Sequence, residues 1–170
     1  MALRLYKKTC KMIKHNLLII DDDIAYLNLL AESLKETFDI SCARNLSVAE
    51  DLLRENIQFD IALVDEHIGH EKGFIWIKEQ QSNNNSSISF IFYSGMAPEE
   101  ALLKGLECGV DDFIAKLFSL LTLNSKLNKL IVYQDKINNF KGEIKSKIML
   151  SMFQWHIFKI WKLYAIELKT

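Results

Sequence analysis

Through residues 17–132 the apolar positions alternate between short unbroken runs and stripes spaced by three or four residues. Residues 17–20 (LLII), 61–64 (IALV) and 88–93 (ISFIFY) are runs of the length expected for strands buried on both faces. Residues 39–43 and 113–115 read as two further strands. Between them, apolar residues at 24, 27, 30, 31, 34 and 38 form a helical stripe. Ser47 followed by Glu50 spells a capping box, and Val48, Leu52 and Leu53 carry a second helix on from it. A third helix is predicted over residues 74–80, followed by a solvated polar connection, 81–87. Pro98 opens a fourth helix where its missing N–H costs least, and Gly109 ends it. A fifth helix runs over residues 119–132. Leu27, Leu30, Leu34, Leu52 and Leu53 are core positions in this reading.

Five strands alternating with five helices predict an α/β fold with a doubly wound parallel sheet. Ligands of such sheets lie beyond the carboxyl ends of the strands. There the first strand runs into Asp21-Asp22-Asp23, the third into Asp65, the fourth into Ser94, and the fifth stops before Lys116. Converging carboxylates repel: at about 4 Å and an effective dielectric of about 20, one pair costs roughly 4 kcal/mol. A hard divalent cation relieves that repulsion, and an all-oxygen donor set suits Mg²⁺. A carboxylate in such a crevice can attack phosphorus, with the cation and a lysine neutralising charge on the phosphoryl oxygens.

Leu17-Leu18-Ile19-Ile20-Asp21-Asp22, then Ile61-Ala62-Leu63-Val64-Asp65 with Gly73 eight residues on, then Phe92-Tyr93-Ser94-Gly95, then Lys116, resemble the receiver domain of two-component response regulators. The resemblance covers about residues 16–132. It implies a flavodoxin-like (βα)5 fold with sheet order 2-1-3-4-5. It also implies that Asp65 accepts a phosphoryl group from a histidine kinase or histidine phosphotransfer protein. Asp21, Asp22 and Asp65 would hold Mg²⁺ (or Mn²⁺), with the backbone carbonyl of His67 as a further ligand. Ser94 and Lys116 would bind the phosphoryl group, and Phe113 would be the switch aromatic that turns inward as Ser94 moves. Two positions depart from the family's pattern, and Glu66 and His67 are unusual neighbours of the acceptor that would alter how long the phosphoryl group survives. Leu117 follows Lys116 where members usually carry a proline after a cis bond, which costs about 2.5–4 kcal/mol before any other residue. Gly69 stands where a proline is common, which implies a looser loop after Asp65.

Those departures motivate an alternative: a phosphorylation-silent receiver that signals by protein contact alone. A haloacid-dehalogenase-type phosphohydrolase is a further rival, because Asp21-x-Asp23 follows a strand. Against it, Ala25 stands where a Thr or Val is usual, and Asp111-Asp112 precede Lys116 instead of following it. His67-Ile68-Gly69-His70 spells a synthetase nucleotide motif out of its context and reads as a mobile, solvated loop.

Composition narrows the setting. The 170 residues are 49% hydrophobic and 25% charged, which is enough apolar material for a buried core and argues against disorder. Three cysteines (Cys10, Cys42, Cys108), odd in number and without a C-x-x-C pair, imply reduced thiols, a cytoplasmic setting and small core side chains. No secretory signal pattern is visible, and Lys159 and Lys162 within the apolar stretch 148–168 argue against a membrane span.

The net charge of −1 hides a division. Residues 1–16 carry five basic and no acidic residues; residues 17–132 carry nine basic against nineteen acidic; residues 133–170 carry seven against three. This gives a basic arm (1–15), an acidic domain (16–132) and a basic tail (133–170). Ile137, Phe140, Ile144, Ile148, Met152, Trp155 and Phe158 make the tail an amphipathic helix. Packing on the domain's own surface, self-association, and membrane-surface contact are its three roles, in that order of preference. A homodimer through the 97–131 face is a further expectation. The tail shows no helix-turn-helix pattern, so no sequence-specific DNA binding is expected.

Overall fold

The computed structural model describes residues 14–55, 58–82, 88–116 and 118–167. The chain divides into two units, Met1–Ile131 and Val132–Thr170. In the first, the apolar runs form strands His15–Ile20 (β1), Phe38–Ala43 (β2), Ile61–Asp65 (β3), Ser89–Ser94 (β6) and Asp112–Ala115 (β7). All pair in parallel in the order β2-β1-β3-β6-β7. Setting aside a small ladder described below, this is the 2-1-3-4-5 order of a flavodoxin-like sheet.

Strand alternation sends neighbouring side chains to opposite faces. Leu17, Ile19, Ile61, Leu63, Ile91, Tyr93 and Ile114 pack with helix Ile24–Leu34 (α1) and with Leu123, Leu127, Leu130 and Ile131 of helix Leu120–Glu167 (α5). Leu18, Ile20, Ala62, Val64, Phe90 and Phe92 pack with helices Leu46–Arg54 (α2) and Gly73–Ser82 (α3) on the other face. Helix Pro98–Cys108 (α4) follows β6, and Gly109 ends it with φ +71°, the left-handed conformation that glycine adopts at least cost. In the second unit the described residues, up to Glu167, are helical.

Several expectations are corrected. Helix α1 stops at Leu34, and Phe38 opens β2 with its ring 2% exposed; the four-residue step from Leu34 to Phe38 is shared by a helix end and a strand start. The cap of α2 is Asn45, whose Oδ1 accepts from Val48 N at 2.8 Å; Ser47 lies inside the helix. The loop after Asp65 contains a short ladder that the sequence reading did not foresee. His67–Ile68 (β4) and Glu71–Lys72 (β5) pair antiparallel, Gly69 supplies the turn at φ +64°, and Ile68 is buried. Helix α3 extends to Ser82, so Gln80 is buried within it and Gln81 Nε2 donates to the Gly109 carbonyl at 2.6 Å. Cys42 is exposed and Cys108 partly so, hence neither is a core side chain. Cys10, most of the basic arm, residues 83–87 and Leu117 lie outside the described residues. Among the described residues, no helix is long and apolar enough to cross a membrane.

Candidate functional site

Register brings the strand ends together. Ile20 pairs with Val64 and Asp65 with Tyr93, so Asp21 and Asp65 leave adjacent strands at the same level, with Ser94 on the next. Asp21 is fully buried, Asp65 is 4% exposed and Asp22 faces solvent. One carboxylate oxygen from each lies within 4.8 Å of the others. Asp21 Oδ1 accepts from Asp23 N at 2.8 Å, and Asp22 Oδ2 accepts from Gly69 N at 2.9 Å, which ties the β4–β5 turn to the acidic cluster.

Lys116 Nζ stands 2.9 Å from Asp65 Oδ1 and 3.5 Å from Asp21 Oδ2. It therefore reaches the site directly from the end of β7. The Tyr93 and Tyr26 rings lie 5.2 and 5.5 Å from that ammonium and form an aromatic wall behind it. Burial pushes the Asp65 carboxyl above the usual carboxylate range, and neighbouring Asp21 adds to the rise, against the opposing pull of Lys116. Burial alone would lower Lys116; its hydrogen bond and attraction to Asp65, with help from Asp21, raise it instead.

The Ser94 hydroxyl is fully buried, donates to Glu66 Oε2 at 2.6 Å and accepts from Met96 N at 2.9 Å. Phe113, on β7, packs on the same sheet face as Phe92, its cross-strand partner. A Cβ at Gly105 of α4 would meet the Val110 Cγ2 methyl at 3.0 Å, a tight contact, and Phe113 Cβ at an ordinary 3.7 Å. Gly73 is required, since a Cβ there would lie 1.9 Å from the Asp65 carbonyl oxygen. His67 opens β4 and pairs with Lys72.

The phosphohydrolase roles do not assemble. Asp23 caps α1, accepting from Ala25 N and Tyr26 N. Asp111 bonds Phe90 N and Asp112 pairs with Lys126, both at the far end of the sheet from Ser94.

Two side-chain contacts of the site were not anticipated from the sequence. Tyr93 donates its hydroxyl to Asp21 Oδ2 at 2.6 Å, although as the residue before Ser94 it reads as a core aromatic. Glu66 is 5% exposed; the sequence marked it as an unusual neighbour of Asp65, and its contact with Ser94 had no sequence signal.

The family model of the response regulator receiver domain matches residues 17–128. This chain belongs to that family. Among curated relatives, the receiver is 29% identical over 140 residues to the nisin biosynthesis regulatory protein NisR of Lactococcus lactis subsp. lactis, covering 82% of this chain and 56% of NisR. It is 30% identical over 119 residues to the transcriptional regulatory protein AruR of Pseudomonas aeruginosa, covering 67% of this chain and 48% of AruR. The receiver chain thus spans about half the length of these two relatives. Its fold matches a CheY-like receiver domain protein from Methanospirillum hungatei with a TM-score of 0.65 and 22% identity, covering 72% of this chain and 98% of that one. A receiver domain is a signalling module, not a conventional enzyme.

Proposed function

We propose that this receiver is a phosphorylation switch in which Asp65 accepts a phosphoryl group from a histidine kinase or histidine phosphotransfer protein. An Asp65 carboxylate oxygen attacks phosphorus, and the P–N bond of the donor phosphohistidine breaks. Its electron pair stays on the imidazole nitrogen, leaving an acyl phosphate on Asp65. The observation that carries this reading is the joint placement of Asp21, Asp22 and Asp65 within 4.8 Å, with Lys116 Nζ 2.9 Å from Asp65.

The carboxylates of Asp21, Asp22 and Asp65 suit a hard cation and would hold Mg²⁺ or Mn²⁺, with the His67 backbone carbonyl as the further ligand the family resemblance implies. The bound cation supplies charge neutralisation at the phosphoryl oxygens. Lys116 then pairs with a phosphoryl oxygen, Ser94 donates its hydroxyl to another, and Phe113 follows Ser94 inward.

The readout face is residues 97–131, where Leu103, Leu106, Leu120 and Leu121 are exposed. A downstream partner or a second copy of the chain would bind this face or the tail. The names of NisR and AruR support a regulatory output, and the reduced-thiol composition a cytoplasmic one.

The test is incubation with acetyl phosphate and Mg²⁺ followed by phosphate-affinity electrophoresis. Wild type is expected to shift, Asp65→Asn not to shift, and Lys116→Ala to retain much of the shift. No shift with acetyl phosphate or a kinase would favour the silent module. Phosphate release kept by Asp65→Asn and lost in Asp21→Asn would favour the hydrolase.

A further inference from the structure

The Ser94 hydroxyl is already committed to an acceptor, and that acceptor is a carboxylate with no part in the chemistry above. Glu66 is buried beside Asp65. Its N–H donates to the Tyr93 carbonyl at 3.0 Å and its carbonyl accepts from Gly73 N at 2.9 Å, so its backbone is fixed next to β6. Its Oε2 accepts a hydrogen bond from the Ser94 hydroxyl at 2.6 Å. Its Oε1 faces His67 Nδ1 at 3.6 Å and Lys104 Nζ of α4 at 3.9 Å. A serine hydroxyl has one proton to donate. While Glu66 receives it, Ser94 cannot donate to a phosphoryl oxygen on Asp65.

We propose that Glu66 is a positioning residue that competes with the Asp65 phosphoryl group for the Ser94 hydroxyl and holds the switch in its resting arrangement. When the phosphoryl group takes over the hydrogen bond from the Ser94 hydroxyl, the Glu66 carboxylate loses that donor. The buried carboxylate then depends on its Oε1 contacts, His67 at 3.6 Å and Lys104 of α4 at 3.9 Å, and burying a carboxylate with fewer partners is costly. Phosphorylation at the end of β3 is thereby passed to α4, part of the proposed readout face. This inference rests on Asp65 being the acceptor.

The test uses beryllofluoride with Mg²⁺ as the phosphoryl mimic, with binding measured by calorimetry on the full chain. Glu66→Ala removes the competitor and is expected to tighten binding about tenfold, the effect of freeing a charge-assisted hydrogen bond. Glu66→Gln preserves side-chain volume and is expected to give a smaller gain in the same direction. In a Ser94→Ala background, Glu66→Ala is expected to change affinity by less than about twofold, because the competition needs the hydroxyl. Equal tightening in both backgrounds would mean that Glu66 acts only by charge repulsion, and would overturn the proposal. So would unchanged or weaker binding with Ser94 present. Failure of wild type to bind beryllofluoride would overturn the acceptor reading itself, and this inference with it.

Discussion

Asp65 sits under tension: it is buried beside another carboxylate, and its single close lysine does not fully offset the loss of water. Because its native pKa is raised, ionised Asp65 costs folding stability near neutral pH in the absence of metal. That cost disappears as pH falls through the raised native value, because the native state then binds its proton before the unfolded chain does. Asp65→Asn mimics the neutral acid and leaves Lys116 its contact with Asp21. Urea unfolding in metal-free buffer should therefore find Asp65→Asn more stable than wild type near neutral pH, with the difference shrinking under mildly acidic conditions. A variant less stable than wild type at neutral pH would show that the Lys116 pair outweighs desolvation. At this scale the sequence was informative for Asp21, Asp22, Asp65, Ser94 and Lys116, because chemistry in a parallel sheet collects at strand ends. It was silent on the Tyr93 hydroxyl and on the partner that Glu66 would take. Alternation assigns Tyr93 to the core, and only the strand register brings its hydroxyl to Asp21.

At the scale of elements, local signals competed, and tertiary context chose between them. Ser47 and Glu50 have capping-box spacing, yet Asn45 caps α2 from an extended conformation and leaves Ser47 in the first turn. Asn45→Ala should cost about 1 kcal/mol, and Ser47→Ala no more than about 0.5 kcal/mol, in chemical denaturation. A larger loss from Ser47→Ala would return the cap to Ser47. Hydrophobic spacing likewise could not separate the end of α1 from the start of β2, since Leu34 and Phe38 are both buried and four residues apart. The β4–β5 ladder escaped prediction because two-residue strands carry no period. Its order comes from the Gly69 turn, from burial of Ile68 and from the hydrogen bond between Gly69 N and Asp22.

Across the whole chain, both apolar clusters and every proposed site residue belong to the unit that ends at Ile131. A chain truncated after Asp135 should therefore fold and keep Mg²⁺-dependent labelling by acetyl phosphate, checked by circular dichroism and phosphate-affinity electrophoresis. Loss of the fold would show that the tail completes the core. The alternation of strand and helix was enough to read the architecture, because burial on both faces leaves unbroken apolar runs that few other folds produce. The tail's helix was equally legible from its three- and four-residue steps.

The central claim is chemical: the phosphoryl group is carried as an acyl phosphate on Asp65. Borohydride reduction of the acetyl phosphate-treated protein, followed by peptide mass spectrometry, reads this directly, because hydride attack on the acyl carbon releases phosphate and converts that aspartate to homoserine. The account predicts homoserine at position 65, dependent on Mg²⁺. Homoserine at position 21, or phosphate retained on a histidine or serine, would contradict it.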